Sequence, residues 1–103
     1  MALSEAETKL AEALWARYRH GADEVLADVA RLFRIDVADI TGPSKRGFVV
    51  DARAVVAVIL RNRAYTFHEI GLILNRDHST IAYFVRRIKA DPDLRELAEG
   101  FAA

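Results

Sequence analysis

The sequence has no cysteine, and only two prolines and five glycines occur among its 103 residues. Without cysteine there can be no disulfide bond and no thiolate-bound zinc, which is compatible with a reducing compartment such as the cytoplasm. No apolar run approaches the roughly 20 residues of a membrane-spanning helix, and the chain does not start like a signal peptide. Hydrophobic residues still make up 52% of the chain, which predicts one folded unit with a real core.

The sequence also lacks a net charge of either sign, because 15 basic and 15 acidic residues balance. The distribution of these charges is uneven. Residues 1–39 and 90–103 each carry a net charge of −3, whereas residues 40–89 carry +6. A basic segment of this kind is typical of a surface that binds a polyanion such as nucleic acid. A solvated surface of mixed charge explains the pattern equally well.

Apolar residues recur with a period near 3.6 along almost the whole chain, so the sequence predicts an all-α protein, a compact bundle of five to six helices. We expect a helix over 4–19 that stops at Gly21, a second over 22–33, a short turn at 37–40 and a helix over 51–62. The last of these is rich in β-branched residues, and a β-strand is the competing interpretation. A glycine- and proline-containing loop that carries two adjacent cations joins the turn to this helix.

The start of the chain is treated as an N-terminal helix, residues 1–20, followed by a globular unit, residues 21–103. Its apolar stripe consists of Leu10, Leu14 and Tyr18, with Trp15 beside them. We expect Trp15 and Tyr18 to belong to the core, and the alternative is that this helix docks a protein partner or a second copy. In the following helix the residues expected to face inward are Val25, Val29, Leu32 and Phe33.

Two short helices joined by a tight turn are predicted between Thr66 and Lys89. Thr66 and Glu69 match a capping box at the start of the first helix, and Asn75 tolerates the left-handed conformation that a tight turn needs. Gly71 lies in the first helix, where a residue without a side chain lets the second helix pack closely. The pattern predicts a helix-turn-helix, although other helical hairpins share it.

The second helix of this pair has two different faces. The stripe predicted to be buried is Ile81, Phe84, Val85 and Ile88. The opposite stripe comprises Ser79, Tyr83 and Arg86, with Arg87 nearby. In a recognition helix, short polar residues such as Asp77 to Thr80 at the N-terminus reach base edges in the major groove. The structural alternative is that Asp77 is only an N-cap and the next residues are ordinary first-turn residues.

The string Arg76-Asp77-His78-Ser79-Thr80-Ile81, preceded by Glu69-Ile70-Gly71, resembles the signature of the C-terminal DNA-binding domain of the bacterial replication initiator DnaA. The likeness extends upstream to Val25–Ile40, to the basic loop Ser44-Lys45-Arg46 and to the helix that Arg53 begins. It covers roughly residues 23–89. The resemblance implies the helix-turn-helix fold of that domain, which is similar to that of the Trp repressor.

In that family the start of the recognition helix reads the major groove, and an arginine of the basic loop enters the minor groove. By position, the resemblance implies base contacts by Asp77, His78 and Ser79, with Arg76 and Thr80 assisting them or holding a phosphate. It further implies a minor-groove or backbone contact by Lys45 or Arg46, and a phosphate contact by Arg53. Tyr83, Arg86 and Arg87 line the DNA or form an ordinary exposed face. The family usually has a pair of glycines before the arginine, where this chain has Leu74-Asn75.

The nucleotide-binding motor of the initiator needs a phosphate loop of the Gly-Lys-Thr kind, and no such string occurs. The sequence therefore predicts neither nucleotide binding nor ATPase activity, and no nucleophile–base pair indicates another enzyme. A metal site is not expected either, because His20 and His68 have no partner at ligand spacing, and we expect no cofactor.

The function predicted from the sequence is sequence-specific binding of double-stranded DNA. The chain would act as a standalone transcriptional regulator or an accessory replication factor of a bacterium or phage, on the nucleoid in the cytoplasm, or it is a fragment of a longer protein. The alternative is a helical protein-interaction module that docks onto a replication or transcription partner.

Overall fold

The structure is a computed structural model that describes residues 2–101, and six α-helices form within this range. In chain order they are α1 (Glu5–Phe33), α2 (Val37–Thr41), α3 (Gly47–Asn62), α4 (Phe67–Leu74), α5 (His78–Ala90) and α6 (Pro92–Gly100). Residues 2–101 contain no strand, which confirms the all-α prediction and excludes the strand interpretation of 51–62. None of the six helices is both long enough and apolar enough to cross a lipid bilayer.

The central element is α3, which contacts each of the other five helices. A helix that is covered on all sides is apolar on all sides, and this burial outweighs the weak helix propensity of its β-branched residues. The helix begins at Gly47, four residues before the predicted Asp51. The extra turn forms because Val49 is completely buried and Phe48 packs against Phe33, with the ring centroids 4.9 Å apart and the rings tilted by 47°.

The predicted stop at Gly21 is wrong, because one helix runs without interruption from Glu5 to Phe33. Gly21 does not adopt a positive φ. Its missing side chain instead makes room for Tyr65, whose hydroxyl lies 3.1 Å from the place where a Cβ would be. That hydroxyl donates a hydrogen bond of 2.6 Å to the carbonyl of Tyr18. The helix ends at Phe33 and is capped by Arg34, which takes the left-handed conformation with φ 56°.

The N-terminal half of α1 stands outside the core. Every residue from Ala2 to Tyr18 is exposed, and the first buried residue of the helix is Ala22. The expectation that Trp15 and Tyr18 belong to the core is therefore wrong, since they are 37% and 46% exposed. The reason is that, within residues 2–101, the only aromatic ring packed on this half is that of Tyr65, edge-on to Tyr18.

The second half of α1 enters the core largely as predicted. Val25, Val29 and Phe33 are buried there, whereas Leu32 is 52% exposed, so its inward placement is wrong. The boundary between residues 20 and 21 stays a prediction, although burial along α1 begins next to it.

Candidate nucleic-acid interface

The turn between α4 and α5 is built from local signals that the sequence contains. At the start of α4, the Glu69 N–H donates to Thr66 Oγ1 at 3.1 Å, and the Thr66 N–H donates to Glu69 Oε1 at 2.8 Å. The helix ends at Leu74 and is capped by Asn75, which adopts φ 56° and ψ 48° and donates its N–H to the carbonyl of Gly71. Asn75 thus takes the left-handed position for which the family pattern usually supplies glycine, and the predicted turn is confirmed.

Gly71 allows the two helices to approach each other as closely as they do. A Cβ at this position would lie 2.5 Å from the carbonyl oxygen of Arg76 and 3.6 Å from the nitrogen of His78. The first distance is far inside van der Waals contact, and the atom it meets is backbone. The Gly71 carbonyl also accepts a 2.9 Å hydrogen bond from the Arg76 N–H. The geometry of the turn therefore depends on glycine here.

The two faces of α5 are arranged as the sequence predicted. Its buried side chains are Ile81, Phe84 and Ile88, and Val85 is half-buried. The opposite stripe is exposed and consists of Ser79, Tyr83 and Arg86. At the start of α5 the three residues Asp77 to Ser79 are exposed and Thr80 is half-buried, so these polar side chains are accessible to a ligand.

Asp77 is the N-cap of α5, as the structural alternative held, but its carboxylate can accept further hydrogen bonds while it caps the helix. Its Oδ1 accepts from the Ser79 N–H at 3.4 Å and lies 3.1 Å from Nδ1 of His78. The side chain of Asp77 remains 68% exposed. One carboxylate can therefore cap the helix and still offer an oxygen to a hydrogen-bond donor, such as the amino group of a cytosine.

The predicted phosphate contact by Arg53 is wrong. Its side chain is only 3% exposed, because it extends from α3 beneath the basic loop. Nε donates to the Ile40 carbonyl at 2.7 Å, and Nη2 lies 3.1 Å from each of three further carbonyl oxygens, those of Asp39, Gly42 and Ser44. Burial, and to a smaller extent the nearby charge of Arg76, lowers the pKa of Arg53. Arg53 positions the loop from inside the protein.

Arg76 joins the basic loop to the helix-turn-helix. Its Nη2 donates to the carbonyl of Gly42, the same oxygen that Arg53 binds, while Nη1 donates to the carbonyls of Leu74 and Asn75 at 3.2 and 3.0 Å. Because Gly42 is held from both sides, the loop lies against the turn. Lys45 and Arg46 are exposed in this loop, three and four residues after the anchored Gly42.

The two adjacent arginines of α5, Arg86 and Arg87, differ in whether another side chain already pairs with them. Arg87 forms an ion pair with Asp51 of α3, and this hydrogen bond raises the pKa of Arg87. Arg86 is exposed. Within residues 2–101, the side chains of Lys45, Arg46 and Arg86 take part in no ion pair and no hydrogen bond. Of the six cations predicted for the site, these three are the ones free to meet phosphates.

Sequence reasoning missed the part of α4 that borders the turn. The lining of a shallow depression at this place comprises His68, Gly71, Leu72, Asn75, Arg76, Asp77 and His78. The exposed members contributed by α4 and its cap are His68, Leu72 and Asn75. Their spacing of four and three residues is that of one helical face, and this spacing is the signal that could have found them.

The helices α4 and α5 form a tightly packed pair, and the polar start of α5 is accessible beside a basic loop. This arrangement defines a helix-turn-helix protein. Comparison with protein families agrees, since the model of the family described as bacterial dnaA protein helix-turn-helix matches residues 22–88. The match covers about two thirds of the chain, and the chain belongs to this family. The resemblance found in the sequence is thereby confirmed. A search of curated proteins returned no match.

Proposed function

We propose that this protein binds double-stranded DNA in a sequence-specific manner, with the start of α5 in the major groove. The observation that carries the proposal is the double anchoring of the Gly42 carbonyl by Arg53 and Arg76. This anchoring joins the polar start of α5 to the basic loop with its free cations in one pre-formed unit. A pre-formed unit binds without first having to order a flexible loop.

The cations of this unit contribute general affinity for DNA, and the polar residues at the start of α5 contribute discrimination between sequences. Lys45, Arg46 and Arg86 are unpaired within residues 2–101 and suit phosphates or, for the loop, the adjacent minor groove. Asp77, His78 and Ser79 present acceptors and donors of the kind that distinguish bases. The carboxylate of Asp77 repels phosphates, so its contribution is discrimination between sequences rather than general affinity.

The role that follows for these residues is that of a sequence-specific DNA-binding protein. It would act as a transcriptional regulator or an accessory replication factor of a bacterium or phage, on DNA in the cytoplasm. The family to which residues 22–88 belong is a DNA-binding module, which favours this role over that of an enzyme. The second candidate, a protein-docking module, is favoured by the exposed apolar residues on α1.

Selection of bound duplexes from a random pool, read by sequencing, tests the proposal. We expect one enriched motif. On the enriched duplex, three free cations predict that log K falls with log salt concentration with a slope of about −2.7. If no motif is enriched and log K does not change with log salt concentration, the protein-docking role is favoured instead.

Substitutions separate the two parts of the interface. Arg46→Ala should weaken binding to all duplexes and reduce the salt slope by about 0.9. Asp77→Ala and His78→Ala should each cost about 1–3 kcal/mol on the enriched duplex and much less on others. Lys9→Ala is the matched control, because Lys9 is an exposed cation outside the family match. If the Arg46, Asp77 and His78 variants all bind like the wild type, the assignment of roles is wrong.

A further inference from the structure

The N-terminal half of α1 carries an apolar face that residues 2–101 cover only at its C-terminal end, where Tyr65 packs on Tyr18. A helix of 29 residues is about 43 Å long, and the molecule as a whole extends 47 Å along its longest axis. The half in front of Ala22 thus projects from the globule, and Leu10, Leu14 and Tyr18 lie on one side of it, one turn apart. Leu10 is 61% exposed and Leu14 43% exposed.

An isolated helix of this length is only marginally stable in water, and a continuous apolar stripe on a helix is normally buried against another element. We propose that this half of α1 pairs in antiparallel orientation with the same segment of a second copy of the chain. The two copies are then related by a two-fold axis, which is the commonest symmetry of protein dimers.

The charged residues on the same face as the stripe favour pairing with a second copy in antiparallel orientation. Glu7 lies seven residues before Leu14, and Arg17 lies seven residues after Leu10, so both belong to the face that carries the leucines. If Leu10 of each copy faces Leu14 of the other, Glu7 of each copy faces Arg17 of the other. A parallel pair would bring Glu7 against Glu7 and Arg17 against Arg17, which is unfavourable.

The surface beside the stripe also fits the start of a second α1. A notch next to α1 is lined by Leu14, Arg17, Tyr18, Arg63 and Tyr65. In the antiparallel arrangement the start of the second copy's helix lies level with this notch. That start carries Leu3, which is 62% exposed, and the acidic residues Glu5 and Glu7. An apolar residue followed by two carboxylates complements a notch formed by aromatic rings and two arginines.

Sedimentation equilibrium of the full chain over a wide concentration range tests the pairing. The apparent mass should rise from 11.5 kDa toward twice that value as the concentration increases. Leu14→Asp should stay at the monomer mass, and it should still fold because Leu14 makes no contribution to the buried core. Leu32→Asp is the matched control, since Leu32 is an exposed leucine of α1 outside the stripe. A wild type that stays monomeric, or a Leu14→Asp variant that still dimerises, overturns the proposal.

The orientation is tested by Glu7→Gln in two backgrounds, because glutamine preserves the capping box with Ser4. In the wild type it should weaken the dimer, whereas in the Arg17→Glu background it should strengthen the dimer by relieving repulsion between Glu7 and residue 17 of the other copy. Each change should be roughly 2- to 30-fold in the dissociation constant, as expected for two exposed ion pairs per dimer. Strengthening in both backgrounds would mean a parallel pair and would overturn the antiparallel assignment.

Discussion

Replacing Arg53 by methionine tests whether this arginine positions the loop or contacts DNA. Methionine has a similar length but cannot donate hydrogen bonds, so the carbonyls of Asp39, Ile40, Gly42 and Ser44 would lose a donor. Nη2 has only two protons for its three acceptors, and we therefore count about three effective hydrogen bonds rather than four. Removing a buried charged donor of this kind should lower the free energy of unfolding by about 3–5 kcal/mol.

Urea unfolding followed by far-UV circular dichroism measures this loss. Arg31→Met is the matched control, since Arg31 is exposed and forms an exposed ion pair with Asp28, so its replacement should cost less than about 1 kcal/mol. Below its unfolding temperature the Arg53→Met variant should bind DNA more weakly with an unchanged salt slope, because the loop loses its fixed position but no phosphate contact. Near-wild-type stability together with a salt slope reduced by about 0.9 would instead make Arg53 a phosphate contact and refute this reasoning.

Two further predictions concern Gly71 and Tyr65. Gly71→Ala should lower the free energy of unfolding by about 1–3 kcal/mol, because the new Cβ would collide with the Arg76 carbonyl. Gly100→Ala is the control and should leave stability unchanged, because a Cβ there would meet open space. Unfolding curves in which the two variants behave alike would contradict this account of the turn. Burial raises the pKa of Tyr65 above its usual value of 10.0, so the native state favours the protonated hydroxyl, and the stability it provides is lost as the pH rises through the raised pKa. Tyr65→Phe should therefore cost about 1 kcal/mol at neutral pH through the lost hydrogen bond to Tyr18, and this difference from the wild type should shrink above pH 10; a difference that stays constant with pH would count against it.

The helix-turn-helix could be predicted from the sequence because its signals are local. The cap at Thr66, the left-handed Asn75 and the N-cap Asp77 each act within a few residues of their own position. Gly71 was also interpreted correctly, since its neighbour in space, Arg76, is only five residues away in the chain. Short-range geometry of this kind is encoded in residue type and spacing.

The features that the sequence did not predict depend on contacts between distant residues. Gly21 continues α1 because Tyr65, which lies far along the chain, packs against it. Arg53 is buried because carbonyls of α2 and of the loop that follows it surround its side chain. Its place within an apolar run, between Ala52 and Ala54, was the available signal. Trp15 and Tyr18 were assigned to the core because a periodic pattern shows that a face is apolar and does not show what covers it.

The most direct test of the proposed interface is a map of amide chemical-shift changes when the enriched duplex is titrated into the labelled protein. We predict that the largest changes cluster at Lys45 and Arg46 and at residues 77–83, which the anchored Gly42 brings together. The acidic helix α6 should be little affected. Large changes on α6, with the basic loop and the start of α5 unperturbed, would contradict the account.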